Sequence, residues 1–174
     1  MRGHFCRALV LALFTGVAPA QPCPSPADRA AVLAVIAPDK AVIGLDAATL
    51  QSLPQQQRSV RRSIAGAASA VEETARYEGV LLRDLLDRTL PGVLASRSAR
   101  HLVIEAVATD GYIAVFSWGE LFNSALGEQV LVVRGQDGRP LDVRAGPLAL
   151  RSLADQRPGP RHVRNLCAVS VRSM

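Results

Sequence analysis

The chain predicts an α+β fold in which β-rich mixed sheets carry a few short helices. Three observations predict it. Apolar residues alternate with a period of two at Leu102, Ile104, Ala106 and Ala108, and again from Val163 to Val171. Helical periodicity is confined to short stretches, clearest at Leu81, Leu82, Leu85 and Leu86. Turn dipeptides, Asp110-Gly111 and Asp137-Gly138 among them, follow strand-like runs and return the chain at once, as hairpins do.

Taken in order, residues 1–20 read as an export signal. Arg2 and Arg7 form a positive start, Ala8 to Val17 an apolar run, and Ala18-Pro19-Ala20 a small-residue cleavage site. The run falls short of the ~20 apolar residues that a membrane-spanning helix needs. An uncleaved anchor is the alternative reading, and no lipobox precedes Cys23. The expected product starts near Gln21 and is periplasmic or secreted, not an integral membrane protein. It is long enough for one domain with a single core, with 21–44 as an N-terminal arm and 45–174 as the domain.

Pro22 to Pro26 predicts an extended lead-in, and Ala27 to Ile36 fits either a short helix or a strand. Asp46 is a good N-cap for a helix through Leu53, which Pro54 stops. Gln55 to Arg62 is polar and reads as a loop leading into a strand near Val60 to Ile64; Gly66 to Ser69 reads as a flexible turn. Val80 to Arg88 predicts a helix with its leucines on one face and Arg83, Asp84, Asp87 and Arg88 opposite, ended by Pro91-Gly92. A strand from His101 turns at Asp110-Gly111 into Tyr112 to Phe116, and Ser117 can cap a short helix through Phe122. Tyr112, an aromatic after a turn, reads mainly as a cap on the core. Val130 to Arg134 predicts a buried strand turning at Gln136-Asp137-Gly138 into Arg139 to Val143. The last strand runs from His162 to Arg172, with Val163, Cys167, Val169 and Val171 on one face and His162, Arg164, Ser170 and Arg172 on the other.

Charge and cysteines narrow the chemistry. The formal net charge is +5, carried almost wholly by arginine, with Lys40 the only lysine; a compositional bias of the genome gives the same pattern. Acids interleave with the arginines as far as Asp155, so no basic stripe suited to nucleic acid forms. After Asp155 no acid follows, while Arg157, Arg161, Arg164 and Arg172 remain. That segment attracts anions, or it is an ordinary solvated edge strand. Beyond the export signal only Cys23 and Cys167 remain, and an even pair in an oxidising compartment suggests a disulfide. Two unrelated thiols are the alternative, and no CxxC or clustered His favours metal.

Several pieces, each weak alone, occur in a specific order: Tyr77-Glu78-Gly79-Val80-Leu81-Leu82-Arg83-Asp84-Leu85-Leu86, Asp110-Gly111-Tyr112, Glu120-Leu121, Asp137-Gly138-Arg139-Pro140-Leu141, Gly146-Pro147-Leu148 and Arg161-His162-Val163-Arg164. In that order the chain resembles the sulfite oxidase-type molybdopterin-binding domain family over most of its length. The resemblance implies mixed sheets with a β-grasp-like motif and a pterin in a deep cleft. The pterin ends in a phosphate, which arginine's planar fork matches. Arg161, His162 and Arg164 are the candidate donors, with Arg151 standing in for the arginine that the family carries where Ala149 lies here. The family's lysine near Val163-Arg164 is Arg164. Catalytic members bind molybdenum through a cysteine thiolate, and no cysteine lies between Cys23 and Cys167; no haem-binding CxxCH occurs either. Molybdopterin is therefore the implied cofactor, molybdenum is not expected, and no catalytic residue or metal ligand is assigned.

Three function classes follow. The first is an exported protein that holds a pterin or another small anion without turning it over. The second is a molybdenum-cofactor oxidoreductase, or a subunit of one, whose site uses another ligand or a partner. The third is a periplasmic interaction or sensory module. Hydrolase chemistry is disfavoured: no G-x-S-x-G or H-E-x-x-H occurs, His101 reads as a strand-edge residue, and the adjacent Glu72 and Glu73 would point to opposite faces of a strand.

Overall fold

A computed structural model describes Cys23 and residues 30–65, 70–156 and 159–174. The export segment, the lead-in at Pro22 to Pro26 and the turn at Gly66 to Ser69 lie outside these residues, Cys23 excepted. Two sheets form. The first contains β1 (Ala31–Ile36), β2 (Val42–Asp46), β5 (Leu102–Ala108), β6 (Ile113–Ser117) and β11 (Leu166–Ser173), in the order β2-β1-β11-β5-β6. Only β1 and β11 pair in parallel; the rest of this sheet is antiparallel. The second contains β3 (Gln55–Ala65), β4 (Ala70–Leu81), β7 (Val130–Gln136), β9 (Ala149–Ser152) and β10 (His162–Val163), in the order β10-β9-β7-β4-β3, with β8 (Arg139–Pro140) paired to β7.

The main core lies between the sheets. Leu33, Val35, Ile104, Phe116 and Val169 of the first meet Val80, Val132, Leu150 and Val163 of the second. Helix α1 (Ala47–Ser52) starts where Asp46 accepts the Thr49 amide at 2.8 Å, and hydrogen bonding from the Thr49 side chain, then from its amide, holds the Asp46 carboxyl below its ordinary pKa. Helix α2 (Leu82–Thr89) buries Leu82, Leu85 and Leu86, and α3 (Pro91–Leu94) follows with proline in its first turn. Ser117 and Glu120 form a complete capping box on α4 (Trp118–Phe122).

Several expectations need correction. Gln55 to Arg62 is not a loop: β3 pairs with β4 along its whole length, so the backbone groups on its inner side find ladder partners despite the polar sequence. The helix expected from Val80 begins two residues later, because Val80 and Leu81 pair with Val132 and Leu131 in the sheet. Strand β5 is buried on both faces rather than alternating, since Val107 on its outer face joins a small cluster with Ala34, Cys167 and Ala168. Only Arg139–Pro140 of the expected strand to Val143 is paired. The ambiguous 27–36 segment supplies strand β1, so the stretch read as an arm contributes strands to the first sheet.

The largest departure is at the C-terminus. The single strand expected from His162 to Arg172 is two strands in different sheets, broken at Arg164-Asn165, where Asn165 is left-handed with φ 49°. Asparagine tolerates that region better than most residues. A register irregularity between Leu166 and Ala168 then turns Cys167 away from the face of Val169 and Val171. There Cys167 is disulfide-bonded to Cys23, with Cα atoms 5.1 Å apart.

Candidate functional site

The turns that follow β7 and β8 build the site. Asp137 and Gly138 both have positive φ, 55° and 76°, and reverse the chain into Arg139. The Asp137 carboxylate accepts the Arg76 amide at 2.8 Å, fastening this turn to β4. Asp142 accepts the Ala145 amide at 2.7 Å, and the Gly146 amide bonds to the Asp142 carbonyl at 3.0 Å. The resulting turn is locked to the C-terminal break: Asn165 donates its amide to the Ala145 carbonyl at 2.7 Å and its side chain to the Arg144 carbonyl at 3.3 Å. Gly146 sits at φ 79°, and a Cβ there would lie 2.3 Å from the Asn165 side chain. Only glycine suits both constraints.

The outcome is a cavity of about 550 Å³ lined by Arg139, Arg144, Arg151 and Arg164, with Gln136, Leu141 and the two turn aspartates. Arg139, Arg144 and Arg164 are exposed and enter no ion pair among the described residues. Arg151 is half-buried, donates to the Leu150 and Val163 carbonyls at 3.0 and 3.4 Å, and lies 6.0 Å from the Tyr77 ring centre. A smaller cavity of about 200 Å³ adjoins Asp110, Tyr112, Gly159, His162 and Arg164. Arg164 therefore lines both.

The four residues expected to act together are divided. Arg151 and Arg164 share the larger cavity; His162 and Arg164 share the smaller. His162 is the cross-strand neighbour of Arg151, with Nε2 3.4 Å from the Ser152 carbonyl oxygen. Arg161 is directed elsewhere. Its guanidinium holds Asp155 through Nε (2.9 Å) and a second nitrogen, meets Glu120 at 2.8 Å, and lies 5.0 Å from the Phe116 ring centre. With its donors bound to two carboxylates, Arg161 is a clip between α4 and the β9–β10 connection. Burial alone would raise the Asp155 carboxyl, but Arg161 and Ser152 donate to it and lower it below its usual range. Burial likewise opposes ionisation of Glu120, and the Ser117 and Arg161 bonds outweigh it. Tyr112 does not cap the core: it is 44% exposed and its hydroxyl donates to the Pro160 carbonyl at 2.7 Å.

Sequence reasoning missed Arg139 and Arg144. Their signal was placement, one directly after Asp137-Gly138 and one just before Gly146-Pro147, where a turn exposes the side chain.

The family model for the oxidoreductase molybdopterin binding domain matches residues 36–174, and the chain belongs to that family. No curated protein sequence matches significantly. Among solved structures, the sulfane dehydrogenase SoxCD from Paracoccus pantotrophus is similar at a TM-score of 0.60 and 12% identity, over 82% of this chain and 38% of that one. At that identity the likeness speaks for the fold alone, and this chain spans less than half of the larger protein.

The donor set fits one end of the family's cofactor and not the other. Exposed guanidiniums suit a phosphate. The thiolate that would hold molybdenum has no counterpart among the described residues, where Cys23 and Cys167 are joined to each other. Nor do three or more His, Cys, Asp or Glu side chains gather there for a metal. No helix among the described residues is long and apolar enough to cross a membrane.

Proposed function

We propose that this domain, exported to the periplasm or secreted, binds a small phosphate-bearing anion such as a pterin and does not catalyse a reaction by itself. The observation that carries the reading is the clustering of Arg139, Arg144 and Arg164 around one cavity without carboxylate partners among the described residues. Guanidinium groups so placed must stay hydrated or meet an anion, and a phosphate presents oxygens that match their fork. Asp137 and Asp142, which line the same cavity, are bound to backbone amides, and that fixes them as turn-holders. The disulfide supports the absence of independent redox chemistry, since it leaves no thiolate among the described residues to ligate molybdenum.

The experiment is calorimetric titration of the oxidised protein with a phosphorylated pterin and with inorganic pyrophosphate, alongside metal analysis of natively purified protein. Arg164→Ala should weaken binding by about 1.5–3 kcal/mol, the range for hydrogen bonds to charged groups. Arg172→Ala should change little, because Arg172 pairs with Glu105 at 2.6 Å away from the cavity. Equal affinity for wild type and Arg164→Ala rejects the site. Molybdenum retained at close to one per chain rejects the non-catalytic reading.

A further inference from the structure

We propose that the outer edge of β3, from Gln55 to Arg61, is a docking strand for an extended acidic segment of a partner protein. The inference is independent of the anion cavity. Strand β3 ends the second sheet, and no other described strand pairs with its outer side. In an antiparallel pair alternate backbone N–H and C=O groups point away from the partner strand, so this edge offers a row of amides and carbonyls to an incoming chain.

Charge decides which chain suits it. Strand β3 holds Arg58, Arg61 and Arg62 and no acid. Pairing with the same strand of a second copy would set arginines opposite one another, and like charges across a ladder destabilise it. An acidic strand meets the opposite condition.

A second feature lies at the root of the edge. The register of β4 on β7 shifts between Glu78 and Gly79, skipping Arg134, so that β7 bulges there. Arg134 crosses toward β3 and donates Nε to the Gln55 side chain at 3.2 Å. It enters no ion pair among the described residues. Its side chain opens on a cavity of about 380 Å³ lined by Gln55, Gln56, Gln57, Glu78 and Gly79. Gln55 is itself fixed, since its amide nitrogen donates to the Leu50 and Leu53 carbonyls at the end of α1. The edge thus presents backbone pairing along its length and a guanidinium at one end, which together recognise an extended segment bearing a carboxylate.

The test titrates labelled peptides of alternating Glu and Val, or alternating Lys and Val, into the oxidised full-length mature protein and follows anisotropy. Saturable binding of the Glu peptide alone is expected, weakened about tenfold by Arg134→Gln and at least as much by Arg61→Glu. Both variants should keep the wild-type melting temperature and anion affinity. Hydrogen exchange should slow at backbone amides between Gln55 and Arg61 when the Glu peptide binds. No saturation by about 1 mM, equal binding of the two peptides, or unchanged affinity in both variants overturns the proposal. Protection on another strand overturns it too.

Discussion

Replacing Arg161 with alanine separates a structural arginine from a ligand-binding one. In the native fold its side chain is 25% exposed, with Asp155 at 13% and Glu120 at 41%. Removing one partner from a fully buried ion pair costs about 3–5 kcal/mol, whereas an exposed pair is worth about 0–1 kcal/mol. The clip lies between these limits, so partial solvent screening places its loss near 2 kcal/mol. Loss of the Phe116 contact adds about 0.5–1 kcal/mol. For a domain of this size such a loss lowers the melting temperature by about 5–10 °C. Calorimetry of oxidised wild type, Arg161→Ala, Asp155→Asn and the double variant measures the coupling directly. The double variant should recover part of the loss, because it no longer leaves a half-buried carboxylate alone. Anion affinity should change far less than in Arg164→Ala. A melting temperature within about 1 °C of wild type, or a stable variant that has lost anion binding, would refute the assignment of Arg161 as a clip.

Acid should expose the same clip. The folded pKa values of Asp155 and Glu120 are lowered, so the stability they add is present above the unfolded values of about 3.9–4.3 and lost as pH falls through the folded ones. Wild type and Arg161→Ala should therefore converge in melting temperature at low pH, and a gap that persists there would contradict this. Gly146→Ala should destabilise by about 1–3 kcal/mol, since the added Cβ meets Asn165 and left-handed backbone is unfavourable for alanine; a chemical denaturation midpoint checks it. Reducing the Cys23–Cys167 bridge, which spans a sequence separation of 144, should cost up to about 5 kcal/mol. Melts with and without reductant read that loss.

Much of this protein is determined locally and was legible in the sequence. The Asp46 and Ser117 caps, the Asp110-Gly111 and Asp137-Gly138 turns and the leucine face of α2 each rest on contacts within a few residues. The ordered motifs identified the family for the same reason, since their turn chemistry and spacing are properties of the chain itself. Tertiary structure decided what depends on distant partners. Gln55 to Arg62 has a loop's composition and becomes a strand because β4 pairs with it along one side. His162 and Arg164 are two apart in sequence, yet β10 ends at Val163 and the break at Arg164-Asn165 sends the chain into the other sheet. Arg161 reads as a free cation beside its neighbours, but Glu120, 41 residues earlier, and Asp155 bind it. Arg139 and Arg144 lie far from Arg164 in sequence; Asn165 ties the Arg144 turn to the C-terminal break, and the Asp137-Gly138 turn, fastened to β4, brings Arg139 to the same cavity. Residue type and spacing set each arginine's charge and local backbone, while the fold alone chose which carboxylates lay within reach and which arginines were left to face the cavity.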